Sequence, residues 1–239
     1  MNDNDGIQVI PFYFLADVSY SMEGDPIKSL NDLLPTVKDA MQANPAVADM
    51  IRFALLSFSD DVQVELPLSD LNHVHANQIP ELTLRGGTNF ASALTKLKSE
   101  IQADYTRLRN DGFKVKRSIA LLLSDGEPNE PEDSWQKAFE DLTSMPQFPN
   151  LVPIGIGNAN REVLKKLRHR KDGPAPAPAL FLNDGTNIAG MISELIQALT
   201  KSMVASAVVI SSNTAPSGGH AQVVFEGLTN APGWDAELD

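Results

Sequence analysis

The chain of 239 residues contains no cysteine. That removes disulfides, thiolate metal centres and cysteine nucleophiles from consideration. Basic side chains are also in deficit, with 19 Lys and Arg against 31 Asp and Glu and a formal net charge of -12. Such a surface repels nucleic-acid phosphates and anionic lipids, so neither nucleic acid nor membrane is an expected partner. No apolar run approaches the roughly 20 residues that a bilayer demands; the run from Val9 to Ala16 is closed by Asp17. The amino-terminal MNDNDG is acidic and polar, unlike a secretory signal. The expected location is the cytoplasm.

Several catalytic signatures are missing as well. There is no G-x-x-x-x-G-K-[ST] phosphate loop and no G-x-S-x-G nucleophile elbow. Gly155-Ile156-Gly157 follows an apolar run, but Asn160 stands where a dinucleotide loop needs its third glycine. A tight strand-to-helix turn accounts for that segment.

The content that remains is ordinary for a globular protein: 42% hydrophobic and 21% charged. Apolar runs alternate with segments of helical period. Residues 8–16, 51–58, 118–124, 151–156 and 180–182 read as buried strands, and the alternating 62–68, with Pro67 near its end, as an edge strand. Ile27, Leu30, Leu33, Leu34, Val37, Ala40 and Met41 share a helical face that Pro35 should kink or split. Phe90 to Leu108 reads as a long amphipathic helix capped by Thr88 or Asn89. Shorter helices carry Trp135 to Leu142 and Val163 to Leu167, the latter capped by Asn160, and a further clean helix spans Ile188 to Met203. This alternation predicts an α/β domain, a doubly wound and mostly parallel sheet with helices on both faces, occupying residues 1–205. Residues 206–239 hold four acidic residues and no Lys or Arg, and read as an acidic extension, a hairpin or a mobile tail.

In open α/β sheets, ligands bind beyond the carboxyl ends of the strands. The first strand ends in Asp17-Val18-Ser19-Tyr20-Ser21, and the strand at 118–124 runs into Asp125-Gly126-Glu127-Pro128. The loop before the long helix ends in Gly86-Gly87-Thr88. Taken singly, these are a helix cap, a turn and a loop. Together they bring two carboxylates and three hydroxyls to one edge, all of them oxygen donors suited to a hard divalent cation. His73 and His75, two apart in a polar loop, read as solvated. The basic cluster Lys165, Lys166, Arg168, His169, Arg170 and Lys171 reads as a solvated helix end favoured by the helix dipole, with a docking patch for an acidic partner as the alternative.

These segments resemble the von Willebrand factor type A (VWA) family, whose metal-ion-dependent adhesion site (MIDAS) has the pattern Asp-x-Ser-x-Ser, then Thr, then Asp. The matching positions are Asp17, Ser19, Ser21, Thr88 and Asp125. The resemblance covers residues 8–203 and implies a Rossmann-like six-stranded sheet with one antiparallel edge strand at 62–68. It further implies that Ser19, Ser21 and Thr88 meet the ion directly or through water, with Asp17 and Asp125 often acting through bound water. The wording around Gly24-x-Pro26, Gly86-Gly87-Thr88 and Ser124-Asp125-Gly126-Glu127-Pro128 is similar to the bacterial stand-alone branch typified by the tellurium-resistance protein TerY. That branch implies a cytoplasmic adaptor associated with kinases, phosphatases or stress-response assemblies. Tyr20 stands where the family usually has Gly, and with Glu127 it is a candidate for the partner-binding rim.

The expected function is a protein-binding module, not an enzyme. It would recognise a partner's Asp or Glu through a divalent cation, magnesium first, manganese or calcium next. The rival is a magnesium-dependent phosphohydrolase of haloacid dehalogenase type. That chemistry needs a general acid two residues after the first aspartate, and Ser19 occupies the position.

Overall fold

The computed structural model describes residues 7–43, 48–157, 159–169, 179–182, 201 and 234–237. The strands are β1 (Gln8–Asp17), β2 (Ile51–Phe58), β3 (Val62–Ser69), β4 (Lys114–Val115), β5 (Ile119–Ser124), β6 (Asn150–Gly155), β7 (Ala179–Leu182) and β8 (Trp234–Glu237). The helices are α1 (Asp25–Asn31), α2 (Leu33–Gln42), α3 (Phe90–Asn110), α4 (Glu132–Thr143) and α5 (Arg161–Lys166). The helix expected over 188–203, residue 201 excepted, and most of the 206–239 extension lie outside the described residues.

The sheet order is β3-β2-β1-β5-β6-β7-β8, with the two-residue β4 also beside β1. Pairing is parallel except at the two ends, where β2–β3 and β7–β8 are antiparallel. The expected open, mostly parallel sheet with its antiparallel edge strand at 62–68 is present; among the described residues it holds eight strands, not six, and β8 adds a second antiparallel edge. β4 is too short to show any periodicity, and Trp-Asp-Ala-Glu in β8 has the charge that edge strands tolerate. Pro67 sits exposed in β3, where register shifts interrupt the ladder, as a proline requires.

Continuous apolar strands are explained by burial on both faces. In β1, Ile10, Phe12, Phe14 and Ala16 join one core with Leu30, Leu33, Leu34, Val37 and Met41 of α1 and α2. Val9, Tyr13 and Leu15 join the opposite core with Phe90, Ala93, Leu94, Leu97 and Ile101 of α3, Trp135 and Leu142 of α4, and Leu164 of α5. The helical stretch 25–42 is split at Asp32, leaving Pro35 in the first turn of α2, where its missing N–H costs no helical bond. The connection after β1 thus lies on one face, and α3, which precedes β5, on the other. The sheet therefore has its switch point between β1 and β5, and a crevice opens at their carboxyl ends.

Candidate metal centre

β1 delivers Asp17 to that crevice as its last residue, and β5 ends beside it at Ser124. The Asp17 side chain is fully buried. Its Oδ1 accepts the Ser19 N–H at 2.9 Å, and its Oδ2 accepts Ser124 Oγ at 2.6 Å and Thr88 Oγ1 at 3.4 Å. The Ser19 and Ser21 hydroxyls are 2.9 Å apart, and Ser21 Oγ donates to Asp125 Oδ1 at 2.7 Å. The five residues singled out in the sequence are thereby gathered into one cluster, with Ser19 and Thr88 nearly as buried as Asp17.

Desolvation dominates the electrostatics. Burial pushes the Asp17 carboxyl above the usual aspartate range and the neighbouring Asp125 adds to the rise, while hydrogen bonds from Ser124 and Ser19 oppose it. Asp125 is raised for the same first reason, against the hydrogen bond from Ser21. Two carboxylates thus share a site that is closed at Asp17 and opens to solvent at Ser21 and the half-buried Asp125, with hydroxyls as their neutral company. The donor set fits a hard divalent cation, which would relieve both the burial cost and the mutual repulsion. Among the described residues, no group of three or more His, Cys, Asp and Glu is placed to hold a metal. That is consistent with a site of two carboxylates and three hydroxyls, in which the serines and threonine carry part of the coordination.

Ser124 is a member of this cluster that the sequence reading left inside an apolar strand. Its Oγ donates to Asp17 and accepts the Gly126 N–H at 3.2 Å, so it links the ends of β1 and β5. The Thr88 loop is fastened from three directions. Arg85 N–H donates to the Val18 carbonyl at 2.7 Å, Gly87 N–H to Asp60 Oδ1 at 3.0 Å, and Thr88 N–H to Asn129 Oδ1 at 2.6 Å. Asn89, not Thr88, caps α3, accepting Ser92 N–H at 2.8 Å.

Of the two rim candidates, Tyr20 is 68% exposed, an uncommon state for a large aromatic ring here. Glu127 is exposed, and its Oε1 accepts Asn160 Nδ2 at 2.8 Å while Asn160 Oδ1 caps α5. The histidine pair lies apart from this cluster: His73 is 85% exposed at its side chain and 3.6 Å from Asp70. In the basic cluster, Lys165 pairs with Glu162 and Lys166 with Glu132; Arg170 and Lys171 lie outside the described residues.

A doubly wound sheet with an oxygen-rich cluster at its switch point defines a class of α/β ligand-binding domains. Within that class, the chain belongs to the von Willebrand factor type A domain family, whose profile matches residues 12–212. Solved structures share the fold at low identity. The pilus adhesin SpaC from Lactobacillus rhamnosus GG, in its open conformation, aligns at 12% identity over 83% of this chain and 30% of its own, with a TM-score of 0.62. Proximal thread matrix protein 1 from the mussel byssus, with a zinc-occupied MIDAS motif, aligns at 16% identity over 80% of this chain and 48% of its own, with a TM-score of 0.52. The ArnB paralog VWA2 from Sulfolobus acidocaldarius aligns at 19% identity over 80% and 46%, with a TM-score of 0.50. This chain thus spans half or less of the length of those proteins. Among curated proteins none matches it. No helix among the described residues is long and apolar enough to cross a membrane.

Proposed function

We propose that this chain is a binding module rather than an enzyme, in which Asp17, Ser19, Ser21, Thr88 and Asp125 hold a divalent cation for a protein partner's carboxylate. The observation that carries this reading is Asp17. It is a fully buried carboxylate at a strand end, held by hydroxyls and one N–H, with a second carboxylate as its charged neighbour. A buried anion so placed calls for a cation. Membership of the VWA family, whose domains commonly mediate metal-dependent protein interactions, supports the same reading. A divalent ion there would supply a Lewis-acidic centre for an incoming oxygen anion. Oxygen-only donors favour magnesium, then manganese or calcium, although the mussel protein carries zinc at its motif.

The chain's own residues set the rest. Tyr20 and Glu127 form the rim of the proposed interface. The net charge of -12 selects a partner whose carboxylate sits in a neutral or basic surround. The local wording shared with the TerY branch supports a cytoplasmic adaptor for a kinase, a phosphatase or a stress-response assembly. The haloacid dehalogenase alternative draws no support from the comparisons, and Ser19 offers no general acid.

Affinity capture with and without chelator tests the reading. Partner retained by wild type in magnesium and released by chelator, and not retained by Thr88→Ala, is the expected outcome. A specific partner indifferent to chelator and to Thr88→Ala overturns metal-bridged recognition and moves attention to the basic cluster at 165–171. Magnesium-dependent phosphatase turnover abolished by Asp17→Asn would revive the enzyme.

A further inference from the structure

The loops that carry Thr88 and Asp125 are joined through one residue. Asn129 Oδ1 accepts the Thr88 N–H at 2.6 Å, and Asn129 N–H donates to the Thr88 carbonyl at 2.8 Å. On another side of the same loop, Asp60 Oδ1 accepts the Gly87 N–H. The glycines report how closely these clamps sit. A Cβ on Gly87 would lie 2.2 Å from Asn129 Oδ1, and one on Gly86 would lie 2.0 Å from Asp60 Oδ2. Gly86 also has φ +30°, a backbone state that L side chains rarely adopt. Side chains from two other loops thus lie directly against the backbone of the Gly-Gly pair, and at Gly86 the positive φ is a second reason for glycine.

Helix capping does not explain this arrangement. The free N–H groups at the start of α3 are taken by Asn89 Oδ1 at Ser92 and by Glu130 Oε1 at Ala91, 2.8 Å each. The bond from Thr88 N–H to Asn129 lies outside the helix and fixes the residue whose hydroxyl points at Asp17.

We infer that Asn129 is a positioning residue for the cation site: it locks the Thr88 backbone to the Asp125 loop, so that both donors are presented as one preformed unit. This rests on the cation reading given under Proposed function. Polar groups that orient metal-binding residues typically change affinity by about ten- to a hundredfold when removed.

The test uses the full chain, Mn2+ alone as probe, and two variants. Asn129→Ala removes the acceptor; Asn129→Asp keeps an acceptor oxygen at the same reach. Mn2+ affinity is measured by titration calorimetry, and hydrogen exchange at the Thr88 amide is measured in chelator, with the Leu97 amide in mid-helix as internal reference. Asn129→Ala is expected to weaken Mn2+ by about tenfold or more and to speed Thr88 exchange relative to Leu97. Asn129→Asp is expected to restore Thr88 protection and bring Mn2+ affinity back to within about threefold of wild type. The Thr88-to-Leu97 ratio separates loss of the lock from general loosening, and the Asp variant keeps the test open if the Ala variant does not fold. Mn2+ binding that is equal in wild type and Asn129→Ala, or that Asn129→Asp fails to rescue, overturns the positioning role alone. Wild type that takes up no Mn2+ overturns the cation reading and the positioning role with it, whatever the exchange rates show.

Discussion

Among the described residues two aspartates are buried, and they are buried differently. Asp104 on α3 is 9% exposed and accepts the Tyr13 hydroxyl at 3.0 Å and the Arg107 guanidinium at 2.8 Å. Asp17 is 0% exposed and is met by hydroxyls, one N–H and the carboxylate of Asp125. Burial raises the pKa of both. The first anion has its cation within the chain, which offsets part of that cost. The second has neutral donors and a like charge, an arrangement that stability alone does not favour. A carboxylate that helps hold a fold together and the one proposed to hold a cation are thus separated by what faces them, not by how deeply they lie.

The largest expected effect breaks this contrast at Asp17. Asp17→Ala should lower Mn2+ affinity by at least about a hundredfold, the upper end of what losing a merely supporting bond costs, read by calorimetry. Its metal-free melting temperature should change less than that of the next variant, because relief of the buried charge and of the Asp125 repulsion offsets the donors stranded at Ser19 and Ser124. Asp104→Ala strands the Tyr13 hydroxyl, which is 2% exposed, and removes the ionic partner of Arg107, leaving it the Leu68 carbonyl. A buried donor left without an acceptor costs about 1–3 kcal/mol, so melting should fall by several degrees in chelator and in metal alike, with Mn2+ affinity unchanged.

The pH dependence sharpens the same comparison. A carboxyl whose folded pKa is raised binds more protons folded than unfolded, so its contribution to stability is present below the unfolded pKa. That contribution is lost as pH rises through the folded value. Asp104→Asn should remove that part of the acid-side slope, which chemical denaturation from pH 4 to 7 would reveal as a flatter profile.

Much of this was legible because strands buried on both faces write themselves as apolar runs, and Asp17 and Asp125 stand where such runs end. The split at Asp32 was legible from Pro35, and the cap of α5 from Asn160. Ser124 was hidden by position: as the last residue of a fully buried strand it looks like part of the run, and its bond to Asp17 spans 107 residues of sequence. Asn129 and Asp60 were hidden for a related reason. Each sits in a turn-like polar segment, and their bonds to the Thr88 loop bridge 41 and 27 residues, a separation that no local periodicity reports. β4 and β8 left too short a pattern to read.

Smaller effects test the periphery of the site. Ser124→Ala removes a donor to Asp17 without removing a carboxylate, and should weaken Mn2+ by about tenfold, intermediate between Asp17→Ala and wild type. Tyr20→Ala and Glu127→Gln should leave Mn2+ affinity within about twofold, since neither side chain bonds to a residue of the cluster and surface changes away from such bonds seldom exceed about 0.5 kcal/mol. Their effect should appear in partner affinity, measured by competition in constant metal. An equal loss of Mn2+ binding in either rim variant would show that the rim and the ion site are not separate.

The central claim is that Asp17 and its neighbours form a site completed by a divalent cation. Thermal melting of chelated protein titrated with Mg2+ or Mn2+ tests it most directly, because a ligand that binds only the folded state stabilises it by about 2.7 kcal/mol at a hundredfold excess over Kd. For a domain of this size that corresponds to roughly 5–10 °C. A saturable rise of that order in wild type, absent in Asp17→Ala and kept in Asp104→Ala, is the expected result. Identical melting of wild type in chelator and in millimolar metal would contradict it.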